Sequence, residues 1–140
     1  MQDGYAGDLR PAEAWELLKE NPKAVLVDVR TLPEWNFVGL PRLDSLGKET
    51  ICVSWQSFPD MGMNAAFVEE VAARGVEREQ PVLLICRSGA RSRSAAMALT
   101  AAGFGPCYNV AEGFEGDRDG DLHRGSVGGW KVAGLPWAQG

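Results

Sequence analysis

The chain has a single histidine, His123, in 140 residues. Nothing built on several imidazoles is available to it, and His123 with Cys52 and Cys107 shows no zinc-ligand spacing. Cysteine is sparse too. Cys52, Cys86 and Cys107 are widely spaced and form no C-x-x-C pair. An odd count at such spacings excludes a disulfide framework and predicts free thiols in a reducing compartment. No apolar run approaches the roughly 18 residues of a membrane helix. Positive charge is in deficit, with 14 Lys and Arg against 19 Asp and Glu and a net charge of -5. A mildly acidic domain does not favour nucleic acid or an anionic membrane as partner, so any anion must be drawn by a local positive site. The N-terminus, "MQDGYAGDLRP", lacks the basic and apolar regions of a secretory leader. It reads as a polar arm, residues 1–7, before one domain over 8–140, and a cytoplasmic location is expected.

What is present is alternation. "PAEAWELLKEN" carries Ala14, Trp15, Leu17 and Leu18 among charges, with Pro11 suited to a first helical turn and Asp8 or Arg10 at its start. "AVLVDV" (24–29) and "PVLLIC" (81–86) are near-continuous apolar runs, the mark of strands buried on both faces. "TLPEW" predicts a short helix or turn after Thr31, and "TICVSW" (50–55) a further strand. "NAAFVEEVAARGV" (64–76) predicts a helix capped by Asn64 and ended by Gly75. "SRSAAMALTAAG" (92–103) predicts another, and "CYNV" (107–110) a last strand. There is no internal repeat. Strand alternating with helix implies a central parallel sheet with helices on both faces, an α/β fold. Ligands in such folds sit beyond the carboxyl ends of the strands.

Cys86 lies at such an end and opens the turn "CRSGARS". Gly89 gives this turn the freedom to curl. Successive N–H groups in such a curl form an anion nest, and the following helix adds its positive end. Arg87 and Arg91 add full charges. A thiol at a helix N-terminus among basic neighbours ionises easily, which makes a nucleophile without a general base. Taken alone, a cysteine ending a buried strand is most often an inert small hydrophobe. The glycine, the arginines at a helix start, where the dipole disfavours them, and the α/β setting tip the balance toward chemistry.

Three segments in order resemble the single-domain rhodaneses, a family of sulfurtransferases: "LVDVRTLPEW", "CRSGARS" and "YNVAEGFEGD…GGWKVAGLPW". The resemblance covers residues 8 to 137. It implies a persulfide cycle in which the Cys86 thiolate takes sulfur from a donor such as thiosulfate and passes it to a thiol or cyanide. A sulfur-carrier protein could also accept it. No cofactor or metal is implied. Backbone N–H groups from Arg87 through Ser88, Gly89, Ala90 and Arg91 would hold the negative charge. The two guanidinium groups would hold the donor's oxygens. Asp28 and Arg30 resemble the family's structural pair near the loop, with Arg30 expected to meet Glu34, and Ser92 supports the loop's end. One departure stands out: the family's Gly-His-Ile-Pro is here Val38-Gly39-Leu40-Pro41, without the histidine.

Rival readings are weaker. Cysteine phosphatases use Cys-x5-Arg, whereas Arg91 comes one residue too soon, so a phosphatase or arsenate reductase is disfavoured. A non-catalytic rhodanese-like binding module is opposed by the presence of Cys86. "DRDGD" (117–121) has its glycine early for a calcium loop, and position 128 is glycine where glutamate is needed. The Gly-rich stretch 115–129 reads as a solvated loop. Cys107 reads as a buried strand residue rather than a resolving thiol, Met61 and Met63 as candidates for a pocket mouth, and the tryptophans as packing.

Overall fold

The computed structural model describes residues 4–31, 33–57, 62–87, 89–116 and 128–138. In chain order the elements are β1 (Gly7–Leu9), α1 (Pro11–Glu20), β2 (Val25–Asp28), a five-residue π-type turn (Glu34–Val38) and β3 (Leu40–Pro41). There follow β4 (Ile51–Cys52), β5 (Gln56–Ser57), β6 (Gly62–Met63), α2 (Phe67–Ala73) and β7 (Val82–Ile85). Last come α3 (Ala90–Ala101), β8 (Cys107–Val110) and β9 (Trp137–Ala138).

The main sheet has five strands in the order β1-β8-β7-β2-β4. Every pairing in it is parallel. The continuous apolar runs of β2 and β7 occupy the interior of the sheet, where both faces are covered. Alternate residues of β7 serve the two faces. Val82, Leu84 and Cys86 pack with Phe67 and Val71 of α2 and Ala95, Ala96 and Leu99 of α3. Leu83 and Ile85 pack with Ala14 and Leu18 of α1, and with Phe114 and Trp130. A Leu84→Ala change would remove about 2–5 kcal/mol from such a site. The expected arrangement, a parallel sheet clad on both sides, is the one observed.

The boundaries differ in instructive ways. The segment expected as an arm joins the sheet: Tyr5 is buried, the Ala6 N–H donates to the Cys107 carbonyl at 2.8 Å, and β1 pairs with β8. Arg10, not Asp8, stands before α1, its N–H donating to Glu13. α2 starts three residues after Asn64, whose carboxamide oxygen instead accepts the Ala66 N–H in a turn leading in. The run 50–55 is a ladder over Ile51–Cys52 alone. Beyond it the Val53 and Trp55 N–H groups still bond to the Asp28 and Val29 carbonyls, so the chain tracks β2 before turning into the small β5–β6 hairpin. α3 starts at Ala90, two residues earlier than expected, because Gly89 takes φ 114° and lets the helix begin at once.

Candidate active site

Cys86 is the first residue past β7, and the chain must turn there to enter α3. The turn is held from outside by a second turn after β8. The Phe114 N–H donates to the Cys86 carbonyl at 2.8 Å, and those of Glu115 and Gly116 to the Arg87 carbonyl at 3.0 and 3.2 Å. Gly113 makes this approach possible, because a Cβ there would lie 2.5 Å from the Cys86 carbonyl oxygen. The closing segment locks the brace in turn: Trp130 donates from its backbone to the Gly113 carbonyl and from its indole to that of Pro136. The family-like third segment of the sequence therefore acts as a clamp on the second.

Two donors converge on the sulfur of Cys86: the Gly89 N–H at 3.1 Å and the Ser92 hydroxyl at 3.2 Å. Cys86 lines an open cleft of about 470 Å³, which Glu34, Gln56, Arg87, Ala90, Arg91 and Glu115 also line. Arg87 is exposed at the rim, and among the described residues no ion pair involves it. Ser88 lies outside the described residues.

The ion pairs correct one expectation. Glu34 does not meet Arg30. It takes a bidentate bond from Arg91, at 2.8 and 3.0 Å, and also accepts from the Thr31 N–H and hydroxyl. Burial would raise the Glu34 carboxyl, but the hydrogen bonds and charge of Arg91 and the Thr31 donors outweigh it, leaving the acid below its usual range. Burial likewise works against the Arg91 charge, and Glu34 more than restores it. Arg30 is turned inward instead. Its Nε and Nη2 bind Asp28 at 2.9 and 2.6 Å, Nη2 donates to the Gly39 carbonyl at 2.7 Å, and its guanidinium lies 4.4 Å over the Phe114 ring. Both members of the Asp28–Arg30 pair are fully buried. Losing either would strand a charge, a cost of about 3–5 kcal/mol.

The missing family histidine has a structural counterpart. Gly39 has φ 123°, and a Cβ there would meet the Trp137 indole at 2.7 Å. β3 pairs with β9 just beyond, Pro41 opposite Trp137. Position 39 is therefore closed to any side chain while Trp137 stays in place.

The other thiols are set apart from the site. Burial and the Asp28 charge push the Cys52 thiol up to about 12, against opposing pulls from Arg74 and Arg30. Cys107 is raised by burial, partly offset by Thr100. Register separates them as well. Cys107 pairs with Val82, at the far end of β7, and so lies about 13 Å along the strands from Cys86. Cys52 is level with Asp28 and Ile85, two strands across, about 10 Å away. Neither can bridge to Cys86, since a disulfide needs Cα atoms within about 7 Å. Among the described residues no group of three or more His, Cys, Asp or Glu gathers to hold a metal. His123, Met61 and the acidic 117–121 stretch lie outside the described residues, as does the side chain of Met63. Sequence reasoning named Asp8 only as a candidate helix start and did not single out Asn109 or Glu115. Asn109, the polar residue in an otherwise apolar β8, was the available signal.

The parallel sheet clad on both faces, with a cysteine-led turn into a helix at its carboxyl edge, matches the fold of solved rhodanese-like proteins. The chain belongs to the STR4 middle domain family, which it matches over residues 7–140. It is similar to Rv0390 from M. tuberculosis, with TM-score 0.90 and 51% identity, covering 97% of this chain and 99% of that one. It is similar also to the polysulfide-sulfur transferase homodimer of Wolinella succinogenes, with TM-score 0.62 and 26% identity over 95% of this chain and 78% of that one. Thiosulfate sulfurtransferase GlpE of Actinobacillus pleuropneumoniae is 29% identical over 129 residues, 92% of this chain and 90% of that protein. The two of these proteins whose names state an activity are sulfurtransferases. Among the described residues no helix is long and apolar enough to cross a membrane.

Proposed function

We propose that this protein is a sulfurtransferase that carries sulfane sulfur as a persulfide on Cys86. The observation that carries the reading is the convergence of the Gly89 N–H and the Ser92 hydroxyl on the Cys86 sulfur at the end of β7. In the cycle, the Cys86 thiolate attacks the outer sulfur of a donor such as thiosulfate. A new S–S bond forms, the old one breaks, and sulfite leaves with its electron pair. An acceptor thiolate, on a small molecule or a carrier protein, or cyanide then attacks the outer sulfur. Cys86 departs as thiolate and the enzyme is restored. This is covalent catalysis in two balanced steps and needs no cofactor.

Arg87 at the rim meets the donor's oxygens, the N–H groups of residues 87–91 support negative charge, and Arg91 contributes charge while remaining anchored to Glu34. Asp28, Arg30, Glu34 and Ser92 shape the loop. The working unit is one domain that takes in the segment from Tyr5 onward, and its thiol chemistry suits the cytoplasm. The names thiosulfate sulfurtransferase and polysulfide-sulfur transferase, carried by relatives below 30% identity, support the reaction class and leave the donor open. Intact mass after thiosulfate treatment tests the proposal. One added sulfur atom, removed by cyanide and absent from Cys86→Ser, is expected. No adduct on the wild-type protein with thiosulfate or polysulfide would overturn it.

A further inference from the structure

The Ser92 hydroxyl has one proton and two acceptors. The Cys86 sulfur is at 3.2 Å, and the carboxamide oxygen of Asn109 is at 2.5 Å. Asn109 cannot offer its other end, because its Nδ2 donates to the Asp8 carboxylate at 3.0 Å, which also receives the Tyr5 hydroxyl. A carboxylate only accepts, so it fixes which way the amide faces. Asn109 and Ser92 are buried, on β8 and α3, and Asp8 comes from β1, the strand that the polar N-terminus conceals.

We infer that Asn109, oriented by Asp8, is a positioning residue that competes with the Cys86 sulfur for the Ser92 proton. While Cys86 is a thiol, Ser92 donates to Asn109, the shorter bond, and the S–H donates to the Ser92 oxygen. When the thiol gives its proton to water through the cleft, its sulfur can only accept. The Ser92 hydroxyl must then turn toward it, which leaves the buried Asn109 oxygen without its donor. Once the sulfur carries a second sulfur, the charge moves outward and Ser92 returns to Asn109. The competition therefore disfavours the bare thiolate relative to the loaded state. This inference rests on the reading of Cys86 as the nucleophile.

The test is the pH dependence of Cys86 alkylation by iodoacetamide, which needs no sulfur donor and so is independent of whether the persulfide forms. The charged and titratable groups around the sulfur are Arg87 and Arg91, Glu34 from the π-type turn, Asp28 with Arg30 from β2, and Cys52 from β4. Among the described residues, Glu115 also lines the cleft, and Asp8, Arg93 and Glu112 line the hollow beside Gly89 and Asn109. Neutral substitutions leave all of them unchanged. Asn109→Leu should move the inflection to lower pH, and Ser92→Ala to higher pH, each by about half a unit or more. In the Ser92→Ala background, Asn109→Leu should have no further effect. An upward shift or no shift in Asn109→Leu, or an undiminished shift in the double variant, would overturn the inference. Should Asn109→Leu not fold, Asp8→Ala frees the amide to turn over. Its downward shift should survive high salt, which screens the lost surface charge; a shift that salt abolishes would likewise overturn it.

Discussion

Cys86 follows the end of β7 and Cys107 opens its neighbour β8; each is 1% exposed, yet their sulfurs meet different partners. Cys86 meets a backbone N–H and a hydroxyl. Cys107 has the Phe104 carbonyl at 3.5 Å, which can only accept from its S–H. Donors meet the first sulfur, whereas burial raises the Cys107 thiol against a partial pull from Thr100. The difference follows from strand polarity. Cys86 ends its strand where a helix begins and N–H groups point back; Cys107 starts its strand after a turn whose carbonyls point forward. Equal exposure does not separate the two thiols; the partners around each sulfur do, and the proposal for Cys86 rests on that difference.

The sharpest way to break this comparison is by exchange. Cys86→Ser should abolish sulfur loading and turnover altogether. Cys107→Ser should load normally, losing about 1 kcal/mol of stability for a hydroxyl in an apolar site, measured by urea unfolding. Loading that depended on Cys107 would end the distinction. Next in size is Arg91→Ala, which removes charge from the Cys86 side only. Turnover with anionic donors should fall about tenfold or more, and with neutral donors less. Equal losses would reduce Arg91 to a prop for Glu34.

Acid should separate the two regions more subtly. The folded Glu34 carboxyl is depressed, so its ion pair with Arg91 stabilises the fold above the unfolded carboxylate's usual value, near pH 4.3. That contribution is lost as pH falls through the folded value. The stability gap between wild type and Glu34→Gln should therefore be full at neutrality and shrink below about pH 4. A gap that stayed constant would place the loss in packing instead.

Much of this was legible in the sequence, for reasons that can be stated. β2 and β7 announced themselves because strands buried on both faces have no polar side to show. The turn at Cys86 was legible because a strand ending, a glycine and a helix start coincide within a few residues. β1 was hidden because an edge strand can take its place through backbone bonds alone, and "GDL" needs no apolar pattern for that. The partner of Glu34 was misread because the resemblance set Arg30 beside the short helix, whereas Arg91 is 57 residues away. Asp28 had already claimed the Arg30 guanidinium. Asn109 gave only a faint signal, a polar residue in an apolar strand, since its importance lies in the Ser92 and Asp8 side chains that a helix and another strand bring to it.

The glycine beneath the Trp137 ring carries a consequence for descent. Positions 39 and 137 are locked in a sterically exclusive pair, so neither can drift alone toward a form with a bulky residue at 39. A histidine at 39 would need the indole to move aside and the backbone to leave its φ of 123° as well, so two features of the fold hold this position as glycine.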